Sequence, residues 1–438
     1  MKHYQNLMIG FGKANRFLAK QMSLRGESVA IIERDKKMYG GTCPNVGCLP
    51  SKSLILSGLA KRSWEDAIAR KRKEREILRT AATSGAVNEG AVEIIDGSAY
   101  FLDEKTVAVG DEKFQADRIF INTGATPVIP DIPGVQSSNV ITSEEALDLD
   151  ELPHQFLIIG SGYVGLEFAG MYRNFGAEVT VLEMHDTFLP KEDKDVAAEI
   201  LKDLEASGIT VKLGVKIKNI TETGVQTNDT FYPADKILIA TGRKANIESL
   251  HLDAAGIETS HGVIKVDDKL KTTVKNIWAL GDVRGGGQFY YLSTDDFRII
   301  MNQLYADNTR TLSDRDGIIP YSVFITPPLS RIGLDEKQAK AAGISYRLFK
   351  FKVAGIVKTK IIEDNRGMMK ALVDPETDEL LGATLYAPES HETINLLALA
   401  MKMHTTYHVL ASQIFTHPTF SEGLNDLFSE SNEVITSK

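Results

Sequence analysis

The sequence predicts an α/β fold built on two βαβ units and closed by a smaller α+β domain. Three observations predict it. An apolar strand, a glycine turn, an amphipathic helix and a second apolar strand ending in an acid occur twice, over residues 7–35 and 156–185. Two further strand-then-glycine turns, 119–134 and 237–246, echo each other behind those units. From residue 319 the pattern changes to shorter strands, followed by an apolar helix near 391–403.

The first unit reads LMIGFGKANRFLAKQMSLRGESVAIIERD. Gly10 and Gly12 form its turn, Asn15 stands where a third glycine is expected, and Glu33 ends the second strand. Such glycines let a backbone approach a pyrophosphate at a helix N-terminus, where unpaired N–H groups face it. The acid is placed to accept hydrogen bonds from a ribose. Alone, this copy is a weak signal that a coincidental glycine turn would match. The second unit, FLIIGSGYVGLEFAGMYRNFGAEVTVLEMH, carries the full pattern in Gly160, Gly162 and Gly165, with Glu183 as its acid. Together they read as two Rossmann-like units.

The stretch YGGTCPNVGCLPSK, residues 39–52, holds the only two cysteines. A bridge across so short a loop would staple little chain, because that stabilisation grows with loop length. Two ligands are too few for a structural zinc site, which takes about four. What remains is chemistry. Later in the chain, NIWALGDV (276–283) is an apolar strand ending at Gly281 and Asp282, where the acid also reads as a plain turn residue.

Composition narrows the function classes. At ~150 residues per domain, 438 residues suggest three domains. A net charge of −9 argues against nucleic acid or an anionic membrane as partner. The one basic run, ARKRKERE at 69–76, reads as a solvated helix face because glutamates interrupt it. No stretch of about 20 apolar residues spans a membrane. The N-terminal residues run straight into the first glycine turn and read as a strand, not a signal peptide. So few cysteines fit a reducing compartment, the cytoplasm.

Two nucleotide units, a C-x4-C turn after the first, the T-G pair Thr123–Gly124, the G-D turn and the tail THPTFSE (416–422) together resemble the flavin-dependent pyridine nucleotide–disulfide oxidoreductases. The resemblance covers essentially the whole chain. It implies an FAD domain in two segments, 1–148 and 266–318, an NAD(P) domain at 149–265, and a dimerisation domain at 319–438. Gly10, Gly12, Glu33, Gly41, Thr42, Thr123, Gly124, Gly281 and Asp282 would hold FAD. Gly160, Gly162, Gly165, Glu183, Gly242 and Arg243 would hold the nicotinamide cofactor. Tyr163 would be an aromatic gate over the flavin. Glu167 would pair with Lys52 beside the flavin, an ordinary ion pair being the alternative reading. The acid Glu183 favours NADH, since it would repel a 2′-phosphate; the cations Arg243 and Lys244 leave NADPH open.

The resemblance also implies a mechanism. Hydride passes from the nicotinamide to FAD, and the flavin reduces a Cys43–Cys48 disulfide. Cys48 would rest against the flavin, and Cys43 would be the exposed thiol that attacks substrate. His417, oriented by Glu422, would be the acid–base that such a thiol needs. In the family this pair comes from the opposite subunit, so a homodimer is implied.

Departures select a branch. Mercuric reductases carry a further C-terminal cysteine pair, which this chain lacks. After the G-D turn stands GDVRGGGQFYYLSTDDFRI in place of the small-residue helix of lipoamide dehydrogenases, and VFITPPLSRIG replaces V-F-T-x-P-E. These stretches, with MYGGTC, are similar to the reactive-chlorine-resistance flavoproteins and bacterial hypothiocyanous acid reductases. The expected substrate is a small oxidant, with Phe289 and Tyr290 narrowing its approach or simply filling core. A larger disulfide, a cupric or mercuric ion, or a redox-sensing role without turnover are the competing readings.

Overall fold

The computed structural model describes residues 1–87, 92–315 and 317–429, with a short strand at 434–435. The chain forms two compact units. The first comprises residues 1–130, 141–151 and 241–314.

Its centre is a seven-stranded sheet. Strand β1 (Lys2–Ile9) pairs in parallel with β2 (Val29–Glu33), joined by helix α1 (Lys13–Ser23). After the cysteine turn come α2 (Thr42–Val46), α3 (Cys48–Leu59) and the long α4 (Trp64–Val87). Strand β3 (Val92–Asp96) extends the sheet beside β2. Strands β4 (Ala99–Phe101), β5 (Thr106–Val109) and β6 (Glu112–Ile121) form an antiparallel flank. Strand β6 runs parallel to β1, and strand 277–279 runs parallel to β6.

Side chains alternate across a strand, so β1 feeds two cores. Leu7 and Ile9 join Ile32, Phe114, Ile119 and Ile121 on one face. Met8 joins Ile31, Phe120, Leu18 of α1 and Trp278 on the other. A parallel sheet covered on both faces explains why these strands read as unbroken apolar runs. The C-terminal ends of β1 and β2 stay uncovered, and there the site is built.

The second unit comprises residues 131–140, 152–240 and 315–438. Parallel strands Gln155–Ile159, Glu178–Leu182, Thr210–Lys212 and Lys236–Ile239 carry the second βαβ unit, whose helix spans Tyr163–Phe175. An added Cβ at Gly165 would lie 2.2 Å from the Gly160 carbonyl oxygen, so only glycine lets this helix sit so near its strand. Beyond residue 319 a six-stranded antiparallel sheet carries the helix Ser390–Lys402. Lys370, buried in that sheet, sits among Asp193, Asp195 and Glu336 at 2.7, 2.8 and 2.6 Å.

The two Rossmann-like units and the α+β domain therefore stand as the sequence predicts. The basic run differs from expectation at one residue. Lys71 is only 1% exposed, and its ammonium donates to the Leu147 carbonyl (2.6 Å) and to Asp148. Arg72 and Arg75 bind Asp148 as well, while residues 69, 70, 72, 73 and 76 stay exposed as a solvated face. Among the described residues no helix is long and apolar enough to cross a membrane.

Candidate active site

Within the first unit a cavity of about 560 Å³ opens at the ends of β1 and β2. Gly10, Gly12, Glu33, Thr123, Gly124, Gly281 and Asp282 line it, together with Gly41, Thr42 and both cysteines. Sequence positions 10 to 282 thus converge on one wall.

The turn after β1 departs from three glycines for a visible reason. Asn15 is fully buried, and its side-chain amide donates to the carbonyls of Ile9 (3.2 Å), Gly10 (3.0 Å) and Phe120 (3.0 Å). It ties the start of α1 to the ends of β1 and β6. Glu33 braces the turn from β2, accepting from the backbone N–H of Phe11 (2.9 Å) and of Asp35 (3.2 Å). Burial raises its carboxyl above the ordinary range, against those two bonds. Thr123 donates its hydroxyl to the Asn246 carbonyl (2.8 Å), which fixes the adjoining turn. Burial also raises Asp282, opposed by Arg243 and Arg284.

These residues fit a flavin dinucleotide. Gly41 has φ +83°, and a Cβ there would lie 3.0 Å from the Cα of Gly12. Any side chain would close the cavity where the glycine turn of α1 faces the cysteine turn. Gly242 and Arg243 also belong to this unit. The Gly242 carbonyl accepts from Val128 N–H (2.9 Å), and Arg243 donates to the Ala125 carbonyl. Lys244 is held by Glu248 at 2.6 Å.

The cysteine turn is clamped by Asn45. Its amide donates to the carbonyls of Tyr39 (2.9 Å) and Gly41 (2.8 Å), and its oxygen accepts from Arg79 Nε of α4 (3.0 Å). Cys48 is the first residue of α3, where the positive end of the helix dipole favours a thiolate. Cys43 lies in hydrogen-bonding contact with it. That contact and burial push the Cys43 thiol up, while Lys13 and Lys52 oppose the rise. The pair therefore titrates as one system, in which the first thiolate formed holds the second proton in place. Of the two, Cys48 is exposed and Cys43 half-buried, the reverse of the expectation that Cys43 is the exposed thiol. Both line the same cavity, so their exposures describe one wall and do not order their roles.

The sequence reading missed Lys13 and Arg16, which sit in the first turn of α1 near Cys43. The available signal was two cations three residues apart directly after a glycine turn.

The second unit carries the remaining candidates. Glu183 accepts from Ser161 N–H (2.9 Å), the Ser161 hydroxyl (2.8 Å) and His185 N–H (2.9 Å). Against the cost of burial, these bonds hold its carboxyl below the usual range. It closes the turn of Gly160 and Gly162 as Glu33 closes the first. Tyr163 is tethered, since its phenol donates to Glu192 and lies 3.2 Å from the Tyr321 hydroxyl. Glu192 in turn pairs with buried Arg331 at 3.1 Å. Glu167 accepts from the backbone N–H of Phe324 (2.8 Å). His417 Nδ1 lies 2.7 Å from Glu422 Oε2, and Glu422 Oε1 accepts from Thr419 N–H (3.1 Å). That contact leaves the imidazole's Nε2 as its outward nitrogen, on a side chain 63% exposed.

Comparison with known proteins agrees with this architecture. Residues 4–301 match the pyridine nucleotide-disulphide oxidoreductase model, and residues 319–428 match the dimerisation domain of the same family, which indicates a homodimer. The chain is 42% identical to the probable pyridine nucleotide-disulfide oxidoreductase RclA of Escherichia coli, covering 98% of this chain and 99% of that one. It is 32% identical to the dihydrolipoyl dehydrogenase of Mycobacterium bovis, covering 88% and 89%. A solved structure of the Cu(II) complex of the HOCl-induced flavoprotein disulfide reductase RclA from E. coli superposes with a TM-score of 0.95 at 42% identity, covering 98% of this chain and 99% of that one. The chain belongs to the pyridine nucleotide–disulphide oxidoreductases, flavoproteins that use FAD and a nicotinamide nucleotide.

Proposed function

We propose that this flavoprotein is an NAD(P)H-dependent reductase of hypothiocyanous acid or a related host-derived oxidant, working through Cys43 and Cys48. The observation that carries the reading is the contact between the chain's only two thiols on a cavity wall shared with Phe289 and Tyr290. Bulky rings beside the thiols suit a small acceptor. The likeness to an HOCl-induced disulfide reductase points to the same oxidant chemistry.

In this reading Gly10, Gly12, Gly41, Thr42, Thr123, Gly124, Gly281 and Asp282 hold FAD, with Glu33 on its adenosine ribose. When bound, FAD supplies the two electrons that return the oxidised cysteine pair to thiols. Gly160, Gly162, Gly165 and Glu183 hold the nicotinamide nucleotide and Tyr163 gates it, whereas Gly242 and Arg243, expected beside them, stand in the first unit with Arg243 acting on Asp282. The Glu183 carboxylate favours NADH by repelling a 2′-phosphate. Lys52 and Glu167 pair beside the flavin.

The thiol steps follow from the residues. Cys43 thiolate attacks the sulfur of hypothiocyanous acid, forming an S–S bond and breaking S–O. His417, from a second copy of the chain, gives the departing hydroxide a proton, and Glu422 holds the ring in the orientation for it. Cys48 thiolate then attacks Cys43 Sγ, forming the disulfide and expelling thiocyanate. We assign residues 1–148 and 241–318 to the FAD domain, 149–240 to the NAD(P) domain and 319–438 to the dimer interface. Residues 241–265 move there from the NAD(P) domain expected from sequence, because they pack in the first unit with the FAD segments. A reducing cytoplasm suits a pair that must return to thiols each cycle.

A second reading rests on the Cu(II) complex of the relative: cupric ion takes the electrons from the same thiols. One experiment separates them. NADH oxidation by the purified flavoprotein is compared with hypothiocyanous acid, lipoamide, oxidised glutathione, mercuric ion and cupric ion. Turnover confined largely to hypothiocyanous acid supports the first reading. Preference for a metal ion or a larger disulfide replaces it.

A further inference from the structure

Lys13 and Arg16 are badly placed for folding. Both are half-buried, lie three residues apart, and occupy the first turn of α1, where the helix dipole disfavours cations. Among the described residues no carboxylate pairs with either. Their neighbours are instead aromatic and sulfur groups. Lys13 Nζ lies 3.8 Å from the centre of the Phe17 ring and 4.5 Å from that of Tyr290, and the Arg16 guanidinium lies 5.2 Å from Phe17. The Tyr290 phenol and Cys43 both act electrostatically on Arg16, and Cys43 faces both cations. Lys13, Cys43 and Tyr290 share the cavity wall. Uncompensated buried cations are costly unless an anion joins them.

We propose that Lys13, Arg16 and the Tyr290 hydroxyl form a seat for a small monoanion beside Cys43. The seat steadies the Cys43 thiolate and receives the anion that leaves when Cys48 attacks Cys43 Sγ. With hypothiocyanous acid as acceptor that anion is thiocyanate, an identification that rests on the function proposed above. Two thiol electrons reduce the oxidant's sulfur, hydroxide leaves as water in the first step, and the second step breaks the Cys43–SCN bond with both electrons going to thiocyanate. Burial and Arg16 depress the Lys13 ammonium to about 8, and the Cys43 thiolate partly restores it. The other charged or titratable groups around Cys43 are Cys48, Lys52, Tyr290 and, across the Asn45 clamp, Arg79 of α4.

The test reads the thiol directly. Holoenzyme reduced with NADH is alkylated by iodoacetamide across pH, and modification of Cys43 is quantified by mass spectrometry with and without thiocyanate. In the unsubstituted protein thiocyanate should slow alkylation saturably, and sulfate at equal ionic strength should not. In K13M/R16M at pH 7 the alkylation rate should fall about tenfold, the change expected for losing about one pKa unit of charge stabilisation. Thiocyanate affinity should fall by a similar factor, flavin content should hold, and K13R/R16K should restore both readouts. Absence of thiocyanate protection in the unsubstituted protein overturns the seat without any variant having to fold. Loss of flavin from K13M/R16M with unchanged alkylation assigns the cations to the cofactor and also overturns it. Because no step uses hypothiocyanous acid, failure of that acceptor in turnover is a separate result.

Discussion

Restoring the third glycine of the first nucleotide turn should weaken this protein. Asn15 brings two amide hydrogens to three carbonyls, which amounts to two full hydrogen bonds of about 1 kcal/mol each. The Ile9 carbonyl keeps the Asn122 N–H at 2.8 Å and the Phe120 carbonyl keeps its place in the β1–β6 ladder, so the loss falls chiefly on Gly10. Asn15→Ala returns part of it. Asn15 Oδ1 has no donor among the described residues, and removing that buried acceptor recovers about 1 kcal/mol. Alanine's helix propensity adds roughly 0.6 kcal/mol. Those terms leave about 0.5 kcal/mol, and the Gly10 carbonyl left short of a donor brings the net for Asn15→Ala to a destabilisation of about 1 kcal/mol. Asn15→Gly loses the same bonds and up to about 1 kcal/mol more as a helix residue, giving roughly 2 kcal/mol. The expected order of stability is Asn, then Ala, then Gly. Urea unfolding followed by tryptophan fluorescence reads it, because both tryptophans, Trp64 and Trp278, lie in the first unit with Asn15. A glycine variant as stable as the parent would refute the argument, and would mean that the Asn15 contacts contribute nothing net.

Three further outcomes are expected. Cys43→Ser should abolish turnover of every thiol-dependent acceptor, whereas Cys48→Ser should still be alkylated at Cys43 yet fail to complete a cycle; sustained turnover by either variant in an NADH oxidation assay contradicts the two-thiol mechanism. Glu422→Gln should lower kcat about 10²-fold with little change in KM, the size of a general acid–base contribution. Against burial, the bonds from His417 and Thr419 hold Glu422 below the usual carboxylate range, so the ion pair's contribution is present above that range and is lost as pH falls through the lowered value. A pH–rate profile whose acid limb is the same in Glu422→Gln as in the parent counts against the pair. Glu183→Gln should raise kcat/KM for NADPH relative to NADH about tenfold, by removing a charge from the ribose site; an unchanged ratio in steady-state kinetics places nucleotide choice elsewhere.

The features legible in the chain are those encoded over short stretches. Apolar runs with glycine turns and terminal acids specify the two βαβ units, because strand alternation, helix period and turn chemistry are local properties. The cysteine turn and the His417–Glu422 spacing are equally local, and Glu422 does reach Nδ1 five residues away. What the chain alone left open depends on residues far apart in sequence. Nothing near Tyr163 announces Glu192 and Tyr321, which tether its hydroxyl from 29 and 158 residues away. Lys71 looks like part of the solvated face at 69–76 until residues 147 and 148 arrive to bury it. Asn15 looks like a defect in a glycine motif until Phe120, 105 residues on, supplies a carbonyl for it. Lys13 and Arg16 look like ordinary helix cations until the cysteine turn and Tyr290 close over them. Local pattern determined the elements and the reactive residue types. The field and hydrogen bonds around each reactive group came from tertiary packing, since charge and burial act through space and a linear pattern does not record which distant segments will share it.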